Sequence, residues 1–218
     1  LHGVTKGADP LLVVTPELVV KSIQQSTTVS NVPNTLVVTL NANYDLAKGS
    51  NVTISGLTGS QTADSSQFSI TSTKSSFGSS ASWTQNSGQL VLKSKGTVAG
   101  RTYVVAFTLN NSNSDQFSPS VSVSAAISDG SGNVVGNILP SPMNKSGSSL
   151  HGVTEGADPL TVVVPKFNTK SIRQSSPVPG TLNTFHVMLE TNYNLKRGST
   201  LTISGLTGTQ TVNTGSLP

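Results

Sequence analysis

The run Asn51-Val-Thr-Ile-Ser-Gly-Leu-Thr-Gly-Ser-Gln-Thr62 returns as Thr200-Leu-Thr-Ile-Ser-Gly-Leu-Thr-Gly-Thr-Gln-Thr211, 149 residues later. Outward from these copies the same offset puts Leu1-His-Gly-Val-Thr5 on Leu150-His-Gly-Val-Thr154 and Gly7-Ala-Asp-Pro-Leu11 on Gly156-Ala-Asp-Pro-Leu160. The register runs from residue 1 to 62 without a gap, and about six positions in ten are identical. A period of this length is a domain-sized module in tandem. The expected organisation is a linker at 1–10, a complete module at 11–127, a hairpin plus Pro/Gly/Ser linker at 128–159, and the N-terminal half of a second, homologous module at 160–218. That second copy has no equivalent of Phe68 onward. Half a module leaves its apolar face wet, so further sequence or a neighbour's strands are expected to complete it.

Composition points to β-structure. Only 10% of the 218 residues are charged, Ser and Thr exceed a quarter of the chain, and no apolar run approaches a membrane span. The 13 Lys and Arg, against 9 carboxylates, are scattered without a basic stripe, which excludes nucleic acid as the expected partner. With no cysteine, a disulfide framework, a thiolate metal site and a Cys nucleophile are excluded together.

Alternating apolar residues bounded by turn residues give expected strands at 11–15, 19–25, 35–41, 51–57, 68–73, 81–85, 89–94, 102–110 and 121–127. The repeat identifies the buried face. Leu36, Val38 and Leu40 become Phe185, Val187 and Leu189, all apolar, whereas Val37, Thr39 and Asn41 become His186, Met188 and Glu190. By the same rule Val52, Ile54, Tyr103, Val105 and Phe107 face inward. Residues 1–10, with Gly3, Gly7 and Asp9-Pro10, read as an extended connector. The expected fold is all-β: tandem immunoglobulin-like or fibronectin-like Greek-key β-sandwich repeats, the second copy incomplete. Val98-Ala-Gly-Arg-Thr-Tyr103 before an alternating strand resembles the tyrosine corner of such domains.

Asn43-Tyr-Asp-Leu46, Gly49-Ser50, the Thr-Ile-Ser-Gly-Leu-Thr-Gly motif, Phe77-Gly, Trp83-Thr-Gln and Gly100-Arg-Thr-Tyr103 together resemble the repeated β-sandwich modules of very large secreted surface, wall or fibre proteins of algae and related protists. The resemblance spans most of 11–127 and half of the second copy. It implies an extracellular, tandemly repeated structural protein and carries no catalytic residues.

The residues offer little chemistry of their own. His2 and His151 are one repeat position and His186 lies on an outer face, so no metal-ligand spacing arises. The carboxylates form no close pair for acid–base work. Asp129-Gly-Ser-Gly-Asn133 opens like a calcium loop but lacks the later bidentate Glu, and reads as a hairpin turn. No catalytic, cofactor-binding or metal residues are assigned.

What remains is covalent decoration. Asn51, Asn110 and Asn144 open N-glycosylation triplets. Thr15, Ser118, Ser141 and Ser176 precede prolines in the manner of O-glycosylated stalks and walls. The expectation is a non-enzymatic subunit of an extracellular, glycosylated filament, appendage or wall layer. Its partners would be its own copies, head to tail or by strand complementation, and glycans. The alternative is an adhesin-type stalk spacing a binding head outside this sequence.

Overall fold

The computed structural model describes residues 1–217; Pro218 lies outside them. The described residues form strands and one 3-10 turn, Thr73–Ser75, and none of their helices is long and apolar enough to cross a membrane. In chain order the strands are β1 (Leu18–Gln25), β2 (Pro33–Ala42), β3 (Asn51–Ser55), β4 (Ser65–Ser72), β5 (Ser80–Thr84), β6 (Gln89–Lys93), β7 (Thr102–Asn110), β8 (Ser122–Ser128), β9 (Val134–Pro142), β10 (Asn144–Lys145), β11 (Phe167–Gln174) and β12 (Phe185–Thr191).

The first ten make one mixed sheet in the order β10-β1-β2-β7-β4-β5-β6-β3-β8-β9. It is nearly closed into a barrel. Two stretches of chain turn the corners, β4 at one and β9 with β10 at the other. The first half of β4 pairs with β5, Ser65 opposite Trp83, and its second half pairs with β7, Ile70 opposite Phe107. At the other corner β9 pairs with β8, the chain passes Met143, and β10 runs parallel to β1 with Ser22 opposite Asn144. Each corner strand covers an edge that would otherwise expose unpaired backbone groups.

The period-2 alternation fills the interior. Leu36, Val38, Leu40, Val52, Ile54, Leu90, Leu92, Val105, Phe107, Val123 and Ile127 are all buried in one cluster, and Val37, Thr39 and Asn41 are half-buried on the other face. Trp83 is buried whole, with Phe68 packed at 5.9 Å and the Nε1–H donating to Thr62 O at 3.0 Å. The Tyr103 hydroxyl accepts a bond from Val98 N at 2.8 Å, five residues upstream, so the tyrosine ties its strand to the preceding loop.

Three sequence expectations are corrected. Residues 11–15 form no strand. Residues 134–145, placed in the hairpin and linker, supply β9 and β10; β9 pairs on one side only, where Pro140 and Pro142 are tolerated. Residues 1–10 are not extended but a ladder of turns: Val4 N donates to Leu1 O, Gly7 N to Val4 O, Asp9 N to Lys6 O and Leu12 N to Asp9 O. His2 at φ 51° and Gly3 at φ 75° give the first turn its mirror-image hand.

The ladder recurs bond for bond one period on, from Leu150 O to Thr161 N, with His151 and Gly152 in the same left-handed region. The β11–β12 hairpin likewise repeats the register of β1–β2, including the irregularity after its first pair. Residues 200–204, equivalent to β3, form no strand, and Phe185, Val187, Leu189, Leu201 and Ile203 lie exposed.

Candidate functional site

The first module has two opposite ends. At the leading end, where the chain enters, the ladder of residues 1–10 lies on the loops after β2 and β6. The His2 ring stacks on Tyr44 at 5.2 Å and Asp45 N donates to His2 O at 3.0 Å. Asp45 Oδ1 in turn accepts from Ala99 N at 2.8 Å, and a side chain at Gly3 would collide with Asp45 and Ala99. The second copy repeats this anchoring: His151 packs on Tyr193 at 5.3 Å, and Asn194 N donates to His151 O at 2.9 Å. Each ladder is thus fixed to the module that follows it.

The second ladder is also fixed to the module that precedes it. At the trailing end of the first module, Leu160 is 0% exposed and belongs to that module's core, and Val162 is 1% exposed. Burying two such side chains contributes roughly 1.5–3 kcal/mol each. A buried polar cradle surrounds them. Gln25 Oε1 accepts from Asn34 Nδ2 and from Leu160 N, both at 2.7 Å, while its Nε2 donates to Gly156 O and Thr161 O, both at 2.8 Å. Asn34 also donates to Asn111 Oδ1 at 2.9 Å, and Asn111 donates to Val29 O at 2.8 Å. Three of the four bonds of the Gln25 side chain go to the incoming segment. Without that segment a buried amide would be left mostly unpaired.

Beyond Leu160 the segment makes isolated β-bridges to two loops. Val162 exchanges both backbone bonds with Gln116 at 2.8 Å, and Val163 N donates to Thr28 O at 2.7 Å. Gln116 Nε2 donates to Leu160 O and to Thr58 O, both at 3.1 Å. Thr58 and Gly59 belong to the sequence motif that both copies share. A side chain at Gly59 would collide with Gln116 Oε1, so the glycine leaves room for the residue that grips Leu160. Asp158 is buried beside the junction and accepts from Gly147 N at 2.7 Å. Burial pushes the Tyr193 phenol above its ordinary range, while a bond with the Thr27 hydroxyl of the preceding module opposes that shift.

The decoration candidates are dispersed. Asn51, Asn110, Asn144 and Thr15 are exposed, at the start of β3, at the end of β7, at the start of β10 and before β1 respectively. Ser141 is half-buried in β9, and the Ser176 hydroxyl bonds with that of Thr181 at 2.9 Å. Ser118 is already engaged within the junction, where its hydroxyl donates to Pro159 O at 2.7 Å and its carbonyl accepts from Lys145 Nζ at 3.2 Å. A sugar on Ser118 would displace the contact with Pro159. The depression of about 380 Å³ beside Asn51 is walled by Ser66, Gln67, Ser80, Ser82, Lys93 and Lys95, among others, with no carboxylate or imidazole on it.

At the Asp129 turn both carboxylate oxygens already have protein donors. Asn133 Nδ2 lies 2.8 Å from Oδ2 and Ser131 N 2.7 Å from Oδ1, and these bonds, led by Asn133, hold the carboxyl below its usual range.

Sequence reasoning missed the junction. Its signal was present: Gln25 and Asn34 recur as Gln174 and Asn183, and Asn183 donates to Gln174 at 3.0 Å just as Asn34 does to Gln25.

No family model and no curated protein sequence matches the chain. Among solved structures it is similar to one described as "AvmM Catalyzes Macrocyclization in Alchivemycin A Biosynthesis", with 9% identity, a TM-score of 0.34, and coverage of 62% of this chain and 92% of that one. Likeness at that level says nothing about the chemistry of this chain.

Proposed function

We propose that the chain is a non-enzymatic structural subunit of an extracellular, glycosylated filament, appendage or wall layer, built from serial immunoglobulin-like modules of the kind found in large surface proteins of algae and protists. The neighbour order β1-β2-β7-β4 on one side and β3-β8-β9 on the other supports the immunoglobulin-like reading, being that of the A-B-E-D and C-F-G sheets with the β5–β6 hairpin added beside β3. The Tyr103 bond to Val98 supports it further.

The observation that carries the functional reading is the junction. The turn ladder is anchored through His151 to the module after it and through Leu160 and Gln25 to the module before it, which supports a stiff joint between successive modules. A spacer that sets distance needs this stiffness, and a freely jointed Gly/Ser linker lacks it. The low charge and the exposed Asn51, Asn110 and Asn144 support glycan as the source of solubility.

Immunogold electron microscopy and glycopeptide mass spectrometry of native material test the reading together. Label on extracellular fibres or wall, with sugar on at least one of the three asparagines, is expected. Label confined to the cell interior on bare protein would overturn it.

A further inference from the structure

The two turn ladders have nearly the same sequence but opposite surroundings. Over residues 1–15 and 150–164 only three positions differ: Lys6 against Glu155, Leu12 against Thr161, and Thr15 against Val164. Their turn bonds and left-handed residues coincide. Yet Leu160 and Val162 are sealed in the trailing end of the first module, whereas Leu11 is 97% exposed and Val13 is 87% exposed. Leu12 is exposed beside them. Contiguous apolar residues held at the surface by a folded segment mark a contact site.

We infer that residues 1–14 form a plug whose occupant is the trailing end of another module of this kind, with Leu11 and Val13 taking the positions that Leu160 and Val162 take here. The inference rests on the serial-module reading and names that reading's contact. The occupant is identified by the socket at the trailing end of the first module. Gln25 would receive the Leu11 amide on Oε1 and offer Nε2 to the carbonyls of Gly7 and Leu12, the equivalents of Leu160, Gly156 and Thr161. Gln116 would pair with Val13 as it pairs with Val162. Nothing in these bonds depends on the three positions that differ, because each uses the ladder's main chain. The contact is heterologous: a plug at one end meets a socket at the other, so it propagates and does not close into a two-fold dimer. In the intact chain the first module's socket is filled by its own downstream segment, whose tether gives it the advantage over any plug arriving from solution.

Opening that socket in the full chain tests the inference. The variant Leu160→Glu with Val162→Glu places charge where the core admits none and releases the tethered plug. By sedimentation velocity its mass should rise with concentration past twice that of the unaltered chain at the same concentration. Adding Leu11→Glu and Val13→Glu should restore the mass of the unaltered chain. An opened chain that keeps the mass of the unaltered chain with its Trp83 near-ultraviolet signal intact overturns the proposal, as does association of the fourfold variant to the same extent as the opened one. If the opened chain loses the Trp83 signal, a gentler variant decides. Glu155→Lys with Thr161→Leu and Val164→Thr makes the second ladder identical to the first, and it should keep its unfolding midpoint. A fall as large as that of Leu160→Ala would show that the first ladder cannot seat in this socket. Failure of these tests leaves the Leu160 junction and the serial reading intact, whereas an intracellular location removes the reading without touching the plug.

Discussion

The main-chain amide of Leu160 donates to the side-chain oxygen of Gln25 at 2.7 Å, across 135 residues of sequence. Leu11 stands at the equivalent place in the first copy and meets solvent. One residue type at one repeat position therefore has two opposite energetic roles. Leu160→Ala should cost about 2–5 kcal/mol, the range for a large-to-small change in a packed core. Leu11→Ala, in the same full chain, should fall within about 0.5 kcal/mol of the parent. Urea unfolding of the two variants checks the pair, and equal effects would contradict the burial of Leu160.

Tyr193 reports on the same junction. Its phenol, 9% exposed, should ionise above the ordinary 10.0, because burial disfavours the phenolate more than the Thr27 hydroxyl favours it. Opening the junction with Leu160→Glu exposes the ring and should bring the titration back toward 10.0. Since the folded value is the raised one, the linked stability is complete below the unfolded value and is lost as pH climbs through the folded one. Ultraviolet difference titration, with Tyr193→Phe to assign the step, measures it.

Tyr103→Phe removes a single hydroxyl and leaves Val98 N without its acceptor. The expected loss is about 1 kcal/mol with an unchanged denaturant slope. A neutral result would mean that the tyrosine acts through its ring, which packs edge-on to Phe77 at 6.4 Å, and not through its bond.

Thr28 Oγ1 is buried and has no hydrogen-bond partner among the described residues. The second copy carries Pro177 there, so the position does not require a hydroxyl. Thr28→Val keeps the shape and removes the unpaired group. It should stabilise the chain by about 1 kcal/mol, the lower end of the cost of an unmet buried polar atom.

The Asp129 carboxyl should titrate below 3.8 by NMR, and Asn133→Ala should move it up, because the Asn133 amide is its strongest donor. The depressed value means that the turn's contribution is present above the unfolded carboxylate range and fades as pH falls through the folded value. At neutral pH, acid unfolding through this group is not expected.

The core was legible because alternation and a second copy agreed. Where Leu36 became Phe185, Val38 and Leu40 kept their types as Val187 and Leu189, and their neighbours became His186 and Glu190, only one face could be inside. The junction was not legible, and the reason is physical. A period shows which residues correspond and is silent on which copy's core each one enters, so residues 11–15 read as the first strand of their own module. Their equivalents Val162 and Val163 pair instead with Gln116 and Val29 of the module before. Residues 134–145 were hidden by Pro140 and Pro142, which an outer strand accepts on its unpaired side. The left-handed His2 and Lys6 were hidden because non-glycine residues rarely take that conformation.

The parallel pairing of β1 with β10 decides how the module answers a pull. The polypeptide enters at the start of β1 and leaves after the end of β10, and the two strands run the same way with Ser22 opposite Asn144 and Ile23 opposite Lys145. Tension on the two chain ends therefore slides these strands past one another and strains their bridges side by side, where a hairpin drawn from its open end would unzip rung by rung. The load then passes into the Leu160 joint, whose buried bonds to Gln25 and Gln116 come from both sides of the segment. In the serial array proposed above, such units would resist stretching until the bonds of both contacts fail together.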